Sequence, residues 1–129
     1  MTDGGRSNVC VMVTLQHIHD ARAILGSRLH RTPVLTATTL GAMAGVELRV
    51  KAELLQRTGS FKPRGVLTKL ASLTPEERAR GVIGISAGNH AQALAYGAAR
   101  AGIACTVVMP ATAVAGITTV QAMPSRAAP

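Results

Sequence analysis

Residues 53–65 read ELLQRTGSFKPRG, and residues 86–92 read SAGNHAQ. Each stretch lies where a run of β-forming residues passes into a run of helix-forming residues. Pro63 disfavours the helical conformation for the residue before it and suits the first position of a helix. We therefore predict a helix that starts at Pro63, with Lys62 at its N-terminal end. The second stretch predicts a strand-to-helix turn, whose backbone N–H groups are suited to binding a carboxylate or a phosphate.

The neighbours of Lys62 suit a lysine that forms an imine. Such a lysine needs partial burial or nearby positive charge, so that its amine is neutral part of the time. Arg64 offers the charge, and Phe61, the only Phe of the chain, offers a flat apolar ring that can pack on a planar cofactor. Ser60 and Thr58 are suitable caps for the helix that follows. The alternative is a solvated lysine at a helix start, with Phe61 an ordinary core residue.

Apolar runs separated by helical segments organise the rest of the chain. We predict strands at 46–53, 82–85 and 104–108, lying parallel in one sheet. Helices are expected at 15–29, 39–44, 63–73, 75–80 and 91–101. Strands that alternate with helices in this way predict an α/β fold, built from parallel β-α-β units with helices on both faces of the sheet.

The two quoted stretches together resemble the paired signatures of the pyridoxal-phosphate-dependent serine/threonine dehydratase family, which has fold type II. In that family the lysine of S-F-K-x-R-G, here Lys62, carries the cofactor as a Schiff base. Residues 31–33, R-T-P, also match the family, as does the pattern K-x-E-x-x-Q at Lys51, Glu53 and Gln56. Without the resemblance, Lys51 and Glu53 are a charged pair on one face of a strand. The resemblance covers roughly residues 15–113.

The resemblance assigns roles to residues in both stretches. It makes Lys62 the catalytic residue and pyridoxal 5′-phosphate the cofactor. The residues implied in cofactor binding are Phe61, Lys62 and Asn89, and those implied in substrate binding are Ser86, Gly88, Asn89 and His90. Considered alone, S-x-G-N-H is a turn and helix cap, and its histidine is an ordinary residue of a helix start.

The reaction that the resemblance implies is dehydration and deamination of L-threonine or L-serine to a 2-oxo acid and ammonia. The substrate amine displaces Lys62, and the freed lysine amine removes the α-proton. Serine racemases resemble these dehydratases but carry S-S-G-N-H, whose second serine is the base on the opposite face of the ring. Here that position is Ala87, which has no proton to give, so dehydration is preferred. Pro63 replaces the Asp that cysteine and threonine synthases tend to have in K-D-R. A racemase-like or other fold type II reaction remains an alternative.

The net charge of +8 makes nucleic acid or a membrane surface a possible partner. The basic residues are dispersed, however, without aromatic interleaving, and no apolar run is long enough to cross a membrane. We therefore predict an amino-acid substrate, with neither nucleic acid nor membrane as partner, and the family implies a homo-oligomer.

His17 and His19 fall on opposite sides of their helix, so no metal site is predicted. Cys10 and Cys105 form no C-x-x-C pair, which favours a reducing cytoplasm.

The sequence divides into four predicted segments. Residues 1–14 are expected to be a disordered extension, and residues 15–45 a helical segment that belongs to the large domain in the family. Residues 46–113 are the predicted α/β domain with the cofactor lysine, and residues 114–129 are an aberrant tail that departs from the family pattern. In the family, the glycine-rich phosphate loop and the residue at the pyridine nitrogen lie further along the chain. We therefore expect a truncated form that keeps the family motifs and is inactive by itself.

Overall fold

The computed structural model describes residues 12–111 of the chain. The expected extension at 1–14 lies mostly outside these residues and the tail at 114–129 lies wholly outside them, so the division into segments stays a prediction. The helices are α1 (Leu15–Leu25), α2 (Thr38–Ala44), α3 (Lys62–Ala71), α4 (Pro75–Arg80) and α5 (Asn89–Ala101). The strands are β1 (Val34–Thr36), β2 (Arg49–Lys51), β3 (Val82–Ile85) and β4 (Cys105–Val108), and short 3₁₀ turns lie at Gly26–Arg28, Glu53–Leu55 and Arg57–Gly59.

Local capping signals set several helix ends. Thr14 opens α1 with a capping box, in which its hydroxyl accepts a hydrogen bond from the backbone N–H of His17 and the His17 ring accepts one from the backbone of Thr14. Thr74 opens α4 in the same way with Glu77. Gly45 ends α2 in the left-handed conformation that glycine adopts without steric cost. The predicted helices are found close to their expected places, but the helix predicted at 15–29 ends earlier, because α1 stops at Leu25 and a 3₁₀ turn follows from Gly26 to Arg28.

Strand pairing differs from the prediction in one respect. β3 and β4 are parallel, with Val82 opposite Cys105 and Ile85 opposite Val108, as expected for a β-α-β unit. The prediction that residues 46–53 form a third strand of this sheet is wrong. Only β2 is a strand there, and it pairs antiparallel with β1 in a separate two-stranded sheet. A strand-forming run does not identify its own partner, because pairing depends on a distant segment that packing brings alongside.

The hydrophobic core lies where α3 and α5 pack together and α5 covers one face of β3 and β4. Its buried residues are Val66, Leu70, Ala93, Leu94, Ala98, Ile103 and Cys105. On the opposite face of the sheet, Ile83 and Ile85 are 72% and 80% exposed. The α/β class with a parallel sheet is confirmed, but within residues 12–111 a helix packs on only one of the two faces of that sheet.

Among these residues, none of the helices has the length and apolar character that a membrane crossing requires.

Candidate active site

Lys62 is the first residue of α3, one position earlier than predicted. Its side chain is exposed, and its Nζ lies 5.0 Å from the centroid of the Phe61 ring. That ring is itself 59% exposed, whereas Pro63, the next residue in the helix, is fully buried. Partial burial of Lys62 was expected and is not observed within the described chain. The alternative that Phe61 is a core residue is also wrong, and its ring is open to contact with a ligand.

Arg64 was expected to direct its positive charge at Lys62, but it does not. Its guanidinium instead faces the carboxylate of Glu53, with Nε donating to Oε2 at 2.8 Å and Nη2 donating to Oε1 at 2.7 Å. The hydrogen bond from Arg64 lowers the pKa of Glu53 to about 2; burial opposes this shift, and Thr32 and Lys51 add to it. The charge of Arg64 is thus taken up by an ion pair.

Two further residues complete this group, which we call the Glu53 clamp and define as Thr32, Lys51, Glu53 and Arg64. The Thr32 hydroxyl donates to Glu53 Oε1 at 2.5 Å. Lys51 Nζ donates to the Thr32 carbonyl at 2.9 Å and lies 3.9 Å from Glu53 Oε1. Lys51 and Glu53 are therefore close, as a pair on one strand face would be, but the stronger partner of Glu53 is Arg64 in α3. This pairing across the fold was missed in the sequence analysis.

The loop before Lys62 contains two buried hydroxyl groups. Thr58 Oγ1 and Ser60 Oγ are buried and have no hydrogen-bond partner among residues 12–111. Thr58 also adopts a left-handed backbone conformation with φ of 63°, which costs a β-branched residue roughly 1–2 kcal/mol. The expectation that these two residues cap the following helix is wrong, because the cap position is Phe61 and no side chain bonds there. Their hydroxyls therefore have hydrogen-bonding capacity that no described residue uses.

The turn at Ser86 is shaped by its own hydrogen bonds. The backbone N–H of Ser86 donates to the carbonyl of Val108 at 3.0 Å, and its Oγ accepts from the N–H of Gly88 at 3.2 Å. Gly88 is the cap position of α5, and no side chain caps the helix there. Asn89 and His90 are exposed in the first turn. The predicted turn and helix start are thus present, with the α5 N-terminus open to an anion.

His90 and Gly84 show how closely α5 approaches the strand before it. A Cβ on Gly84 would lie 2.6 Å from Leu94 Cδ2 and 3.9 Å from His90 Nε2. The His90 ring therefore lies over β3. Its predicted contact with the substrate is not tested by this arrangement and stays a prediction.

The two stretches lie on elements that touch. Helix α5, which begins at Asn89, packs against α3, which begins at Lys62, and against the 3₁₀ turn Arg57–Gly59. From the sequence, both stretches follow strands of one predicted sheet and were expected to meet at the same edge of it; this expectation is wrong, because β2 and β3 belong to different sheets. A shared site formed by Lys62 and the turn at 86–90 stays a prediction, now supported by helix packing instead of by a common sheet edge.

A separate cavity lies away from Lys62. It has a volume of about 1160 Å³ and lies between α1 and α3, where Ile18, Leu25 and Thr68 line it together with Lys51 and Arg64. Neither Lys62 nor the turn at 86–90 contributes to it. We place the candidate site at Lys62, because Lys62 stands in the S-F-K-x-R-G motif whose lysine is expected to carry the cofactor. No group of His, Cys, Asp or Glu within residues 12–111 is suited to hold a metal ion.

Comparison with known proteins identifies the family. Residues 27–125 match the family model described as pyridoxal-phosphate dependent enzyme. The chain belongs to this family. This match confirms the resemblance seen in the two sequence stretches. Pyridoxal phosphate, the cofactor that the motifs implied, is the cofactor of this family.

Individual relatives in the family differ in their named activities. An L-threonine ammonia-lyase of Thermotoga maritima is 48% identical over 99 residues, which are 77% of this chain and 25% of the relative. A serine racemase of Dictyostelium discoideum is 46% identical over 98 residues, which are 76% of this chain and 30% of the relative. The crystal structure of a Dictyostelium discoideum serine racemase matches with a TM-score of 0.75 and 42% identity, covering 84% of this chain and 36% of that one.

These matches define the extent of the likeness. The chain spans between 25% and 30% of the length of these two curated relatives. An ammonia-lyase and a racemase are similar to it at comparable identity, so the family and the partial fold type II architecture are established, whereas the particular reaction is a matter for proposal.

Proposed function

We propose that the chain carries the cofactor lysine of a pyridoxal-phosphate-dependent ammonia-lyase, which converts L-threonine or L-serine to a 2-oxo acid and ammonia. The observation that carries the proposal is the position of Lys62. It stands exposed at the first turn of α3, beside an exposed aromatic ring, in a chain that matches the family model. The proposal places this chemistry in the cytoplasm.

The residues around Lys62 fit the cofactor. The Phe61 ring is open on its exposed side and can stack on a planar pyridine. The amine of Lys62 has no ion-pair or hydrogen-bond partner among residues 12–111, so the cofactor can reach it without displacing another polar group. The buried hydroxyls of Thr58 and Ser60 can still form hydrogen bonds. Asn89 lies at the start of the helix that packs on this region and carries an amide suited to a ring oxygen.

Each residue of the site then has a defined task. When bound, pyridoxal phosphate withdraws electrons from the substrate α-carbon and makes its hydrogen acidic. Lys62 Nζ accepts that proton. The open N-terminus of α5, with Ser86, Gly88, Asn89 and His90, holds the substrate carboxylate, because unpaired N–H groups and the helix dipole favour an anion there.

Racemisation of serine is the second candidate, favoured by the racemase relatives. It requires a proton donor on the face of the ring opposite Lys62. Ala87 occupies the position next to Ser86 and offers no such proton, which is why elimination is our first choice. Chiral analysis of L-serine reactions distinguishes the two, since racemisation yields D-serine and elimination yields pyruvate.

Cofactor attachment provides the direct test. The purified chain is mixed with pyridoxal 5′-phosphate, the adduct is fixed with borohydride, and the modified lysine is located by peptide mass spectrometry. We expect modification at Lys62, together with absorbance in the violet that Lys62→Ala abolishes. Lys69→Ala is the matched control, because Lys69 is another exposed lysine of α3. Equal loss in both variants, or retention in Lys62→Ala, would place the covalent role elsewhere.

Activity is a separate matter from attachment. Because the chain spans only 25% and 30% of the length of these two relatives, we expect the 129 residues alone to release no measurable 2-oxobutanoate from threonine. A catalytically inactive fragment, the alternative to our proposal, would give the same result, so attachment of the cofactor at Lys62 is the measurement that separates the two. Stereospecific turnover by the 129 residues that disappears in Lys62→Ala would contradict our expectation, and would show that they hold the cofactor without further protein.

A further inference from the structure

We propose that Glu53 is a positioning residue, whose carboxylate fixes the first turn of α3 through Arg64 and Thr32 and so sets the direction of Lys62. This inference rests on the proposed function of Lys62 and concerns a residue that does not itself touch the reacting atoms.

Both oxygens of the Glu53 carboxylate are used. Oε2 accepts from Arg64 Nε, and Oε1 accepts from Arg64 Nη2 and from the Thr32 hydroxyl, at distances between 2.5 and 2.8 Å. The side chains of Glu53 and Arg64 are only 16% and 33% exposed. A two-pronged, charge-assisted pair in this setting fixes orientation as well as distance, because both planar groups must stay aligned.

The clamp joins three segments that are separate along the chain. Thr32 precedes β1, Glu53 follows β2, and Arg64 lies in the first turn of α3. Gln56 strengthens the junction, since its amide oxygen accepts from the N–H of His30 at 2.9 Å and its amide nitrogen donates to the His30 carbonyl at 2.8 Å. The start of α3 is therefore held against the residues that precede β1 and those that follow β2.

The direction of the Lys62 side chain depends on this junction, because few contacts of its own hold that side chain in place. Within residues 12–111 the Lys62 ammonium has no hydrogen-bond or ion-pair partner, and it lies 5.0 Å from the centroid of the Phe61 ring. Its direction is then set by the backbone of the turn, which Pro63 anchors by burial and Arg64 anchors through Glu53. If Arg64 were released from Glu53, only the burial of Pro63 would still hold the turn in place.

A merely stabilising ion pair is the alternative, and buried ion pairs are weak evidence for stability in any case. Selective modification of Lys62 distinguishes the two roles. Glu53→Gln keeps the shape of the side chain and removes its charge. Glu47→Gln is the matched control, because Glu47 pairs with Arg49 at the surface, where the two side chains are 70% and 67% exposed, and such pairs contribute little.

The first measurement compares modification of Lys62 with modification of Lys69 by pyridoxal 5′-phosphate and borohydride, at a temperature where all variants are folded by circular dichroism. A misplacement of about 1 Å can reduce a rate on the order of a hundredfold. We expect Glu53→Gln to lower the ratio of Lys62 to Lys69 modification by about tenfold, and Glu47→Gln to leave it unchanged. An equal ratio in both variants would overturn the inference.

The second measurement is amide hydrogen exchange in the absence of cofactor. Glu53→Gln should speed exchange in the first turn of α3 and leave the middle of α5 unchanged. If wild-type Lys62 is not modified at all, the proposed function fails, and exchange alone decides the inference, with unchanged exchange at α3 refuting it. Should Glu53→Gln not fold, Thr32→Val removes only one hydrogen bond and should shift both measurements in the same direction by less; no shift in that variant would also refute the inference.

Discussion

Substitution of Gly97 by alanine tests how closely α3 and α5 approach each other. A Cβ at Gly97 would lie 2.7 Å from Val66 Cγ1, 3.0 Å from Leu70 Cδ1 and 3.6 Å from Leu67 Cδ2. The first distance is well inside van der Waals contact. Val66 is β-branched and has little freedom to turn its methyl group away, so the two helices would have to separate slightly.

The expected change in the free energy of unfolding follows from two opposing effects. Alanine in the middle of a helix is favoured over glycine by about 1 kcal/mol. Overpacking of a well-packed core costs about 1–3 kcal/mol. We therefore expect Gly97→Ala to lower the free energy of unfolding by about 0–2 kcal/mol, despite its better helix propensity.

The control is Gly65→Ala in α3, where nothing lies within 4 Å of an added Cβ. This variant should gain the full propensity effect of about 1 kcal/mol, so the two variants should differ by about 1–3 kcal/mol, the overpacking cost. Both are measured by urea unfolding followed by far-ultraviolet circular dichroism, with linear extrapolation to water.

A double variant locates the clash. In a Val66→Ala background the methyl group at 2.7 Å is gone, so Gly97→Ala should become less destabilising or even stabilising. If Gly97→Ala instead stabilises the wild-type protein as much as Gly65→Ala does, the helices are not in the close contact described and the reasoning is refuted.

Three further outcomes are expected. Thr58→Gly should raise the free energy of unfolding by about 1 kcal/mol in urea titrations, since it relieves the left-handed threonine; a loss would mean that the Thr58 side chain has a structural partner. Because the pKa of Glu53 falls from 4.5 to about 2 on folding, its stabilising contribution is complete above pH 4.5 and is lost as the pH falls towards 2. Glu53→Gln should flatten that part of the stability profile, whereas Glu47→Gln should not. Ile85→Thr on the exposed sheet face should change the stability of the 129 residues by less than about 0.5 kcal/mol, and a larger loss would show that this face is covered.

Several helix boundaries could be predicted from the sequence because they depend on near neighbours. Thr14 and Thr74 form capping boxes with residues three positions on, and Gly45 ends α2 through its own backbone freedom. The start of α3 was placed within one residue, since Pro63 restricts the residue before it. The family, and with it the cofactor, followed from motifs that are contiguous in the chain.

Only the tertiary structure decided which distant groups meet. The run at 46–53 was predicted as a strand of the parallel sheet, yet β2 pairs with β1. Arg64 was predicted to act on Lys62, yet it pairs with Glu53. Capping bonds form between residues a few positions apart and are encoded locally, whereas strand partners and ion pairs across segments are selected when packing brings those segments together and removes competing water. For that reason the sequence by itself placed Lys62 at a helix start, and the packing of α3 on α5 and on the Glu53 clamp decided how that lysine is held.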